Sequence, residues 1–183
     1  IIDRDCSLNI LTFDSDAGKK AYRHTCAHVL AQAVQNLYPD AKLTIGPAID
    51  NGYYYDFDMP SLDRQALDAI EKEMKAIIKK GETLERFTLS KEEAVKLMTE
   101  RNEPYKVEMI EEHPDTDVLS FYKQGDFVEF CAGPHLMSTK TIKAFKLTSS
   151  SGAYWRGDEK NKMLTRIYGT AYTKKADLEE YLE

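Results

Sequence analysis

The chain predicts an α+β fold: an antiparallel sheet with hairpins, packed against a long N-terminal helix and two further helices, with a cleft between helix and sheet. Three observations predict it. Apolar residues Ala27, Leu30, Val34 and Leu37 recur at helical spacing. An Asn51-Gly52 step sits between two apolar runs, as in a hairpin turn. Helical and strand patterns are then interspersed with local hairpins, not with the regular crossover helices of a doubly wound parallel sheet.

Taken in order, Asp14-Ser15-Asp16 supplies capping oxygens for the first helix, and Pro39 forbids its continuation. Leu43 to Ile49 and Tyr53 to Phe57 flank the Asp50-Asn51-Gly52 turn. A second helix follows Pro60-Ser61, carries Leu67, Ile70, Met74 and Ile77 on one face, and stops at Gly81. Ser90 and Glu93 form a capping-box pattern that opens a third helix containing Ala94, Leu97 and Met98. Tyr105 to Ile110 reads as a strand, and Glu111 to Asp117 as an acidic loop. Val118 to Tyr122 and Phe127 to Cys131 pair across Gln124-Gly125. Strands are expected near Ile142 to Thr148, Ala153 to Arg156 and Met163 to Tyr168, with a short helix from about Lys175.

Composition bounds the function. At 183 residues the chain is long enough for one substantial core, and 42% apolar with 31% charged residues of both signs describes a folded domain. No apolar run reaches the roughly 20 residues that span a bilayer, so no membrane partner is expected. Cys6, Cys26 and Cys131 are odd in number and unpaired in spacing, which predicts a reducing, cytoplasmic setting. The net charge of −6 weighs against wrapping a long nucleic-acid surface, because phosphate contacts dominate that affinity. One local basic stretch stands out: residues 139 to 166 hold seven cations against two carboxylates, a net of +5, interleaved with Tyr154 and Trp155. The chain opens without Met, in Ser7 to Phe13, which reads as a strand and suggests a piece of a longer polypeptide.

The chemistry concentrates in two short motifs. His24 and His28, four apart on the first helix, lie about 40° apart on one face at the border of its apolar stripe, beside small Ala31. Cys26 points round the other side and reads as packing. Far along the chain, Cys131-Ala132-Gly133-Pro134-His135 places a thiol at a strand end and an imidazole beyond a tight turn. Alone, either motif is more often packing or surface than a site. Together, His24, His28, Cys131 and His135 make a set suited to tetrahedral zinc, or to holding a water and exchanging a proton without metal. His113, the remaining histidine, has no evident partner and reads as a surface residue.

His24-Thr25-Cys26-Ala27-His28, Thr44-Ile45-Gly46-Pro47-Ala48-Ile49-Asp50-Asn51-Gly52-Tyr53-Tyr54-Tyr55-Asp56 and Cys131-Ala132-Gly133-Pro134-His135 closely resemble the editing domain of bacterial threonyl-tRNA synthetases, a relative of the alanyl editing domain. Gly152-Ala153-Tyr154-Trp155-Arg156-Gly157-Asp158 and Arg166-Ile167-Tyr168-Gly169-Thr170-Ala171 extend the resemblance, which runs from about residue 19 to 183. It implies that residues 1 to 18 are a remnant of a preceding ubiquitin-like domain or linker. It implies hydrolysis of the ester of seryl-tRNA mischarged in place of threonine, with the threonyl ester excluded sterically, and no synthetic activity.

On this resemblance His24 or His135 would activate a water, His28 and Cys131 complete a polar wall, and Lys106 orient substrate or stabilise developing negative charge. Tyr55 would wall the pocket against the seryl hydroxyl, and Glu129, where the family often has aspartate, would bind the seryl ammonium. No metal is required on this reading, with zinc admissible at His24, His28, Cys131 and His135. The partners implied are the 3′ end of threonine tRNA carrying serine and the remaining synthetase domains; Tyr154 and Trp155 of the basic stretch could stack on the terminal bases, although such an aromatic pair is more often core. The rivals are an alanyl-type trans-editing hydrolase, a noncatalytic RNA-binding module and a zinc-stabilised structural domain.

Overall fold

The computed structural model describes residues 2–183. Its axis is helix α1 (Asp16–Leu37), capped by the Ser15 hydroxyl, which accepts from the Gly18 amide at 3.1 Å. From Tyr22 to Val34 nearly every residue of α1 is buried, so the helix is central and not a surface amphipath. It lies on a five-stranded antiparallel sheet. Strand β3 (Gly52–Asp58) pairs on one side with two short strands, β1 (Lys42–Leu43) and β2 (Ala48–Ile49), and on the other with β8 (Met163–Tyr172). β7 (Ala144–Tyr154) completes the sheet beyond β8. The Asn51-Gly52 hairpin is therefore present, with Asn51 at φ 60°, although Ile45 to Pro47 are not regular strand and meet β3 only through the Ile45 and Pro47 carbonyls, which accept from the Asp56 and Tyr54 amides.

Helix α2 (Arg64–Lys80) packs its Leu67, Ile70, Met74 and Ile77 face beside α1 and ends in left-handed Gly81. Buried Glu71 fastens it to the sheet by accepting from the Leu147 amide at 3.2 Å. A second apolar core, built on Met98, Ile110, Leu119, Phe121 and Val128, joins α3 (Lys91–Glu100) and α4 (Pro104–Glu111) to a three-stranded sheet. That sheet runs β4 (Leu84–Ser90), β5 (Val118–Gln124), β6 (Phe127–Phe130), all antiparallel. The capping box of Ser90 and Glu93 opens α3 as expected, and the final helix α5 spans Lys175–Leu182.

Four expectations are corrected. Tyr105 to Ile110 is helix α4, not a strand: Pro104 occupies its first turn, where a missing N–H costs nothing, and Lys106 and Ile110, one turn apart, face inward together. The strands expected at Ile142 and Ala153 are one long strand, β7, carried past Thr148 by a register shift against β8. β4 was not anticipated, because Glu85 and Arg86 break its apolar alternation. Ser7 to Phe13 forms no strand; the chain turns at Phe13-Asp14 and α1 already starts at Asp16, inside the expected remnant, of which Ile1 lies outside the described residues. Among those residues no helix is long and apolar enough to cross a membrane.

Candidate active site

A cleft of about 640 Å3 opens between the two cores, with α1 and the Ile45 to Pro47 segment on one side and α4, β5 and β6 on the other. Gly46 is required at its neck, because a Cβ there would overlap the ring of Tyr55. Into this cleft α1 projects His24 and His28, while Cys131 arrives at the end of β6. The Gly133-Pro134 peptide is cis, with Gly133 at φ 76°, and the turn folds His135 back over the α1 histidines. Ring centroids of His135 lie 4.2 Å from His24 and 3.9 Å from His28. Cys131 Sγ sits 3.4 Å from His24 Nε2 and 3.3 Å from His135 Nε2, and accepts from the Gly133 amide at 3.2 Å. The two sequence motifs thus meet in one cluster.

Packing three imidazoles so closely away from water disfavours their charged forms. Burial lowers the pKa of His24, and the charges of Lys20 and Lys106 add to it. Burial, then His135 and His24, holds His28 well below the usual histidine value. His135 is pushed down to about 3, again by burial first. The cluster is therefore neutral near pH 7 and has lone pairs to offer. Burial also pushes the Cys131 thiol up to about 12, so it stands as S–H.

The facing wall holds a buried polar chain. Lys106 on α4 and Glu129 on β6 form an ion pair, both side chains less than 5% exposed. Tyr55 on β3 donates to the second Glu129 oxygen at 2.6 Å, and burial plus that carboxylate hold its phenol well above the usual value. All three line the cleft. Lysine and glutamate side chains are ordinarily solvated, so their burial sets them apart. Because the Tyr55 proton is committed to Glu129, the hydroxyl positions the carboxylate; the wall role expected from sequence is otherwise kept by its ring.

Two readings change. His113 is not an isolated surface residue: its Nδ1 lies 3.1 Å from Asp117 Oδ2, its ring stands edge-on to Phe130, and both His113 and Asp117 line the cleft rim. The i, i+4 spacing of His113 and Asp117 was the available signal. The stretch 139 to 166 is not an open basic patch either. Arg166 is bidentate to Asp56 at 2.7 and 2.8 Å, Arg156 meets Glu108 and Glu112, Lys146 meets Glu71 and Lys162 meets Asp58. Trp155 is buried against Tyr105 with its indole N–H on Glu108, so it is not free to stack on a base.

The donor set also fits zinc. One ligand atom from each of His24, His28, Cys131 and His135 lies within 4.8 Å of the others, and the two sulfur–nitrogen separations are close to the roughly 3.5 Å edge of a zinc tetrahedron. His28 Nδ1 is buried without a partner. These four residues would hold the ion, which when bound polarises oxygen and acidifies water.

Residues 119–168 match the family described as the threonyl and alanyl tRNA synthetase second additional domain. The chain is 63% identical over 182 residues to a threonine-tRNA ligase of Acetivibrio thermocellus, covering 99% of this chain and 29% of that protein. Threonine-tRNA ligases of Clostridium tetani and Clostridium novyi are 62% and 59% identical over 183 residues, covering all of this chain and 29% of each relative. The chain thus spans under a third of the length of these relatives. It is similar over its whole length to a segment of the threonine-tRNA ligases, and its residues 119–168 are similar to the second additional domain of threonyl- and alanyl-tRNA synthetases.

Proposed function

We propose that the chain is an aminoacyl-tRNA deacylase that hydrolyses the ester of serine wrongly attached to threonine tRNA. The observation that carries this reading is the convergence of His24, His28, Cys131 and His135 in one cluster, of which His24, His28 and Cys131 line a cleft that the Lys106–Glu129 pair also lines. A threonine-activating site gains only about 1–3 kcal/mol from one methyl group, so serine is sometimes attached, and a second, narrower pocket must remove it. Ligation of threonine itself belongs to the remainder of such a synthetase, with which this chain would work in the cytoplasm.

Neutral His24 or His135 positions a water, accepts its proton as the water attacks the ester carbonyl, and returns that proton to the ribosyl oxygen as the acyl–oxygen bond breaks, releasing serine and the free terminal hydroxyl of the tRNA. Cys131, held as a thiol, completes the polar wall with His28 and is not the nucleophile. Lys106 faces the developing charge on the carbonyl oxygen. Glu129, aligned by Tyr55, receives the seryl ammonium. The ring of Tyr55 against Gly46 narrows the neck, which suits exclusion of a further methyl group. No metal is required for this sequence of proton transfers.

Deacylation of seryl-tRNA charged on threonine tRNA, measured for the wild-type chain and for His24→Ala and His135→Ala, tests the reading. Wild type should release serine, and each variant should lose about 100-fold or more while keeping its circular dichroism. Equal rates in all three would refute the assigned cluster. Seryl-tRNA charged on alanine tRNA is the control: faster release from it would favour an alanyl-type hydrolase. A folded wild type that binds RNA without releasing serine would favour a noncatalytic module.

A further inference from the structure

The first turns of α1 open onto a second cleft, about 560 Å3 in volume, walled by the Ala48 to Asn51 hairpin. Lys19, Lys20 and Arg23 line it, and none of the three makes an ion pair within 4 Å among the described residues. Arg23 is only 5% exposed. Its guanidinium lies between the rings of Phe13 and Tyr172, 5.5 and 5.0 Å from their centroids, and its Nε donates to the Ala171 carbonyl at 3.2 Å. Its two terminal nitrogens have no hydrogen-bond partner among the described residues. Arg23 lines the cleft, and its terminal nitrogens are not among the buried unpartnered atoms, so they face the cleft's solvent, where an anion can take the place of water. Asp16 and Asp50 also line the cleft, both exposed, so its balance is one positive charge. By contrast, Lys146, Arg156, Lys162 and Arg166 of the stretch 139 to 166 already face carboxylates.

The second cleft adjoins the first. Lys20 lies one turn before His24, about 6 Å along the helix and about 40° round it, so the two share a face. Ala48 and Ile49 on its wall follow directly on Pro47, which lines the histidine cleft. An ester at the 3′-terminal ribose of an RNA sits within one nucleotide of the last phosphodiester. A group hydrolysed beside His24 therefore brings that phosphodiester to about one helical turn away.

We propose that Lys19, Lys20 and Arg23 form the phosphodiester-binding subsite for the single-stranded 3′ end of the RNA whose terminal ester occupies the histidine cleft. The subsite rests on the deacylase reading for the identity of its ligand. Contacts of this kind set the register of the strand without reading its bases, and position the ester for the cluster. It replaces the 139 to 166 stretch as the RNA-facing surface nearest the chemistry.

The test is binding, not turnover. A fluorescently labelled, unacylated single-stranded RNA ending in CCA is titrated with the wild-type chain, K19E/K20E, K19R/K20R and K140E/K143E at several low salt concentrations. The expected result is at least a 10-fold weaker Kd for K19E/K20E, with the slope of log K against log salt reduced by about 1.4, two single-strand phosphate contacts. K19R/K20R and K140E/K143E should bind as wild type does. Unchanged binding by K19E/K20E, an equal loss in K140E/K143E, or no binding by wild type would overturn the proposal. Because the RNA carries no ester, normal lysine-dependent binding without serine release would reject the deacylase reading alone, and serine release without the lysine effect would reject this subsite alone.

Discussion

Thr25 Oγ1 lies 3.0 Å from His135 Nδ1, and that contact sets which nitrogen of His135 faces Cys131. The Thr25 hydroxyl has one proton, which it donates to the Ala21 carbonyl at 2.9 Å, so toward its other neighbours it can only accept. It accepts from the Leu136 amide at 3.0 Å and from His135 Nδ1–H. His135 Nε2 is left with its lone pair directed at Cys131. The threonine between the two α1 histidines therefore orients the imidazole that arrives from the far end of the chain. Thr25→Val should lower serine release about 10- to 100-fold, the usual effect of removing a hydrogen bond that orients a functional histidine. Thr25→Ser should retain the rate. Equal activity in both would show that the tautomer is set elsewhere.

The Lys106–Glu129 pair should behave as a buried pair does. Lys106→Met leaves a buried carboxylate and Glu129→Gln a buried ammonium, each destabilising by about 3–5 kcal/mol. The double variant removes both charges and should cost clearly less than the sum. Urea unfolding of the four proteins in a double-mutant cycle measures this, and strict additivity would mean the two charges do not meet.

Gly133 occupies a left-handed conformation, and a Cβ there would overlap the ring of Tyr122, which stands edge-on to His135. Gly133→Ala should cost about 1–2 kcal/mol in stability from the backbone alone. It should also lower serine release more than 10-fold by displacing His135. Thermal melts and deacylation rates read the two effects separately, and wild-type values for both would contradict the geometry.

Glu71 gives the fold an acid-sensitive tie. Burial works against its carboxylate, but the Leu147 amide, Lys75 and Lys146 outweigh it and hold the pKa below the ordinary 4.5. Its unfolded form binds a proton more readily than its folded form, so this contribution is present above about pH 4.5 and is lost as pH falls through the folded value. Glu71→Gln should therefore be less stable than wild type at pH 7, with the difference closing below pH 4.5. Urea midpoints across that range check the sign; a difference that widens on acidification would reverse it.

What was legible in the sequence was local or periodic. The histidine pair on α1, the caps at Ser15 and Ser90, the left-handed stop at Gly81 and the hairpins at Asn51-Gly52 and Gln124-Gly125 each follow from neighbours a few residues apart. The Cys131 to His135 turn was legible as chemistry, while its meeting with α1 needed the fold. α4 looks like a strand in the sequence because Tyr105, Val107 and Met109 alternate with charged residues, whereas Pro104 is the signal that starts a helix there. The basic stretch was misread because a count of charges does not reveal partners: Asp56, Asp58, Glu71, Glu108 and Glu112 lie at least 44 residues from the cations they neutralise. Burial of Lys106 beside Glu129 is likewise a product of two cores closing over one cleft.

The most direct measurement of the central claim is the ratio of serine to threonine released from the same threonine tRNA by the purified chain, followed as free amino acid over time. The account predicts rapid loss of serine with threonine retained, a ratio of about 10 or more for a pocket that discriminates by one methyl group. Release of both at one rate, or of neither, would contradict it.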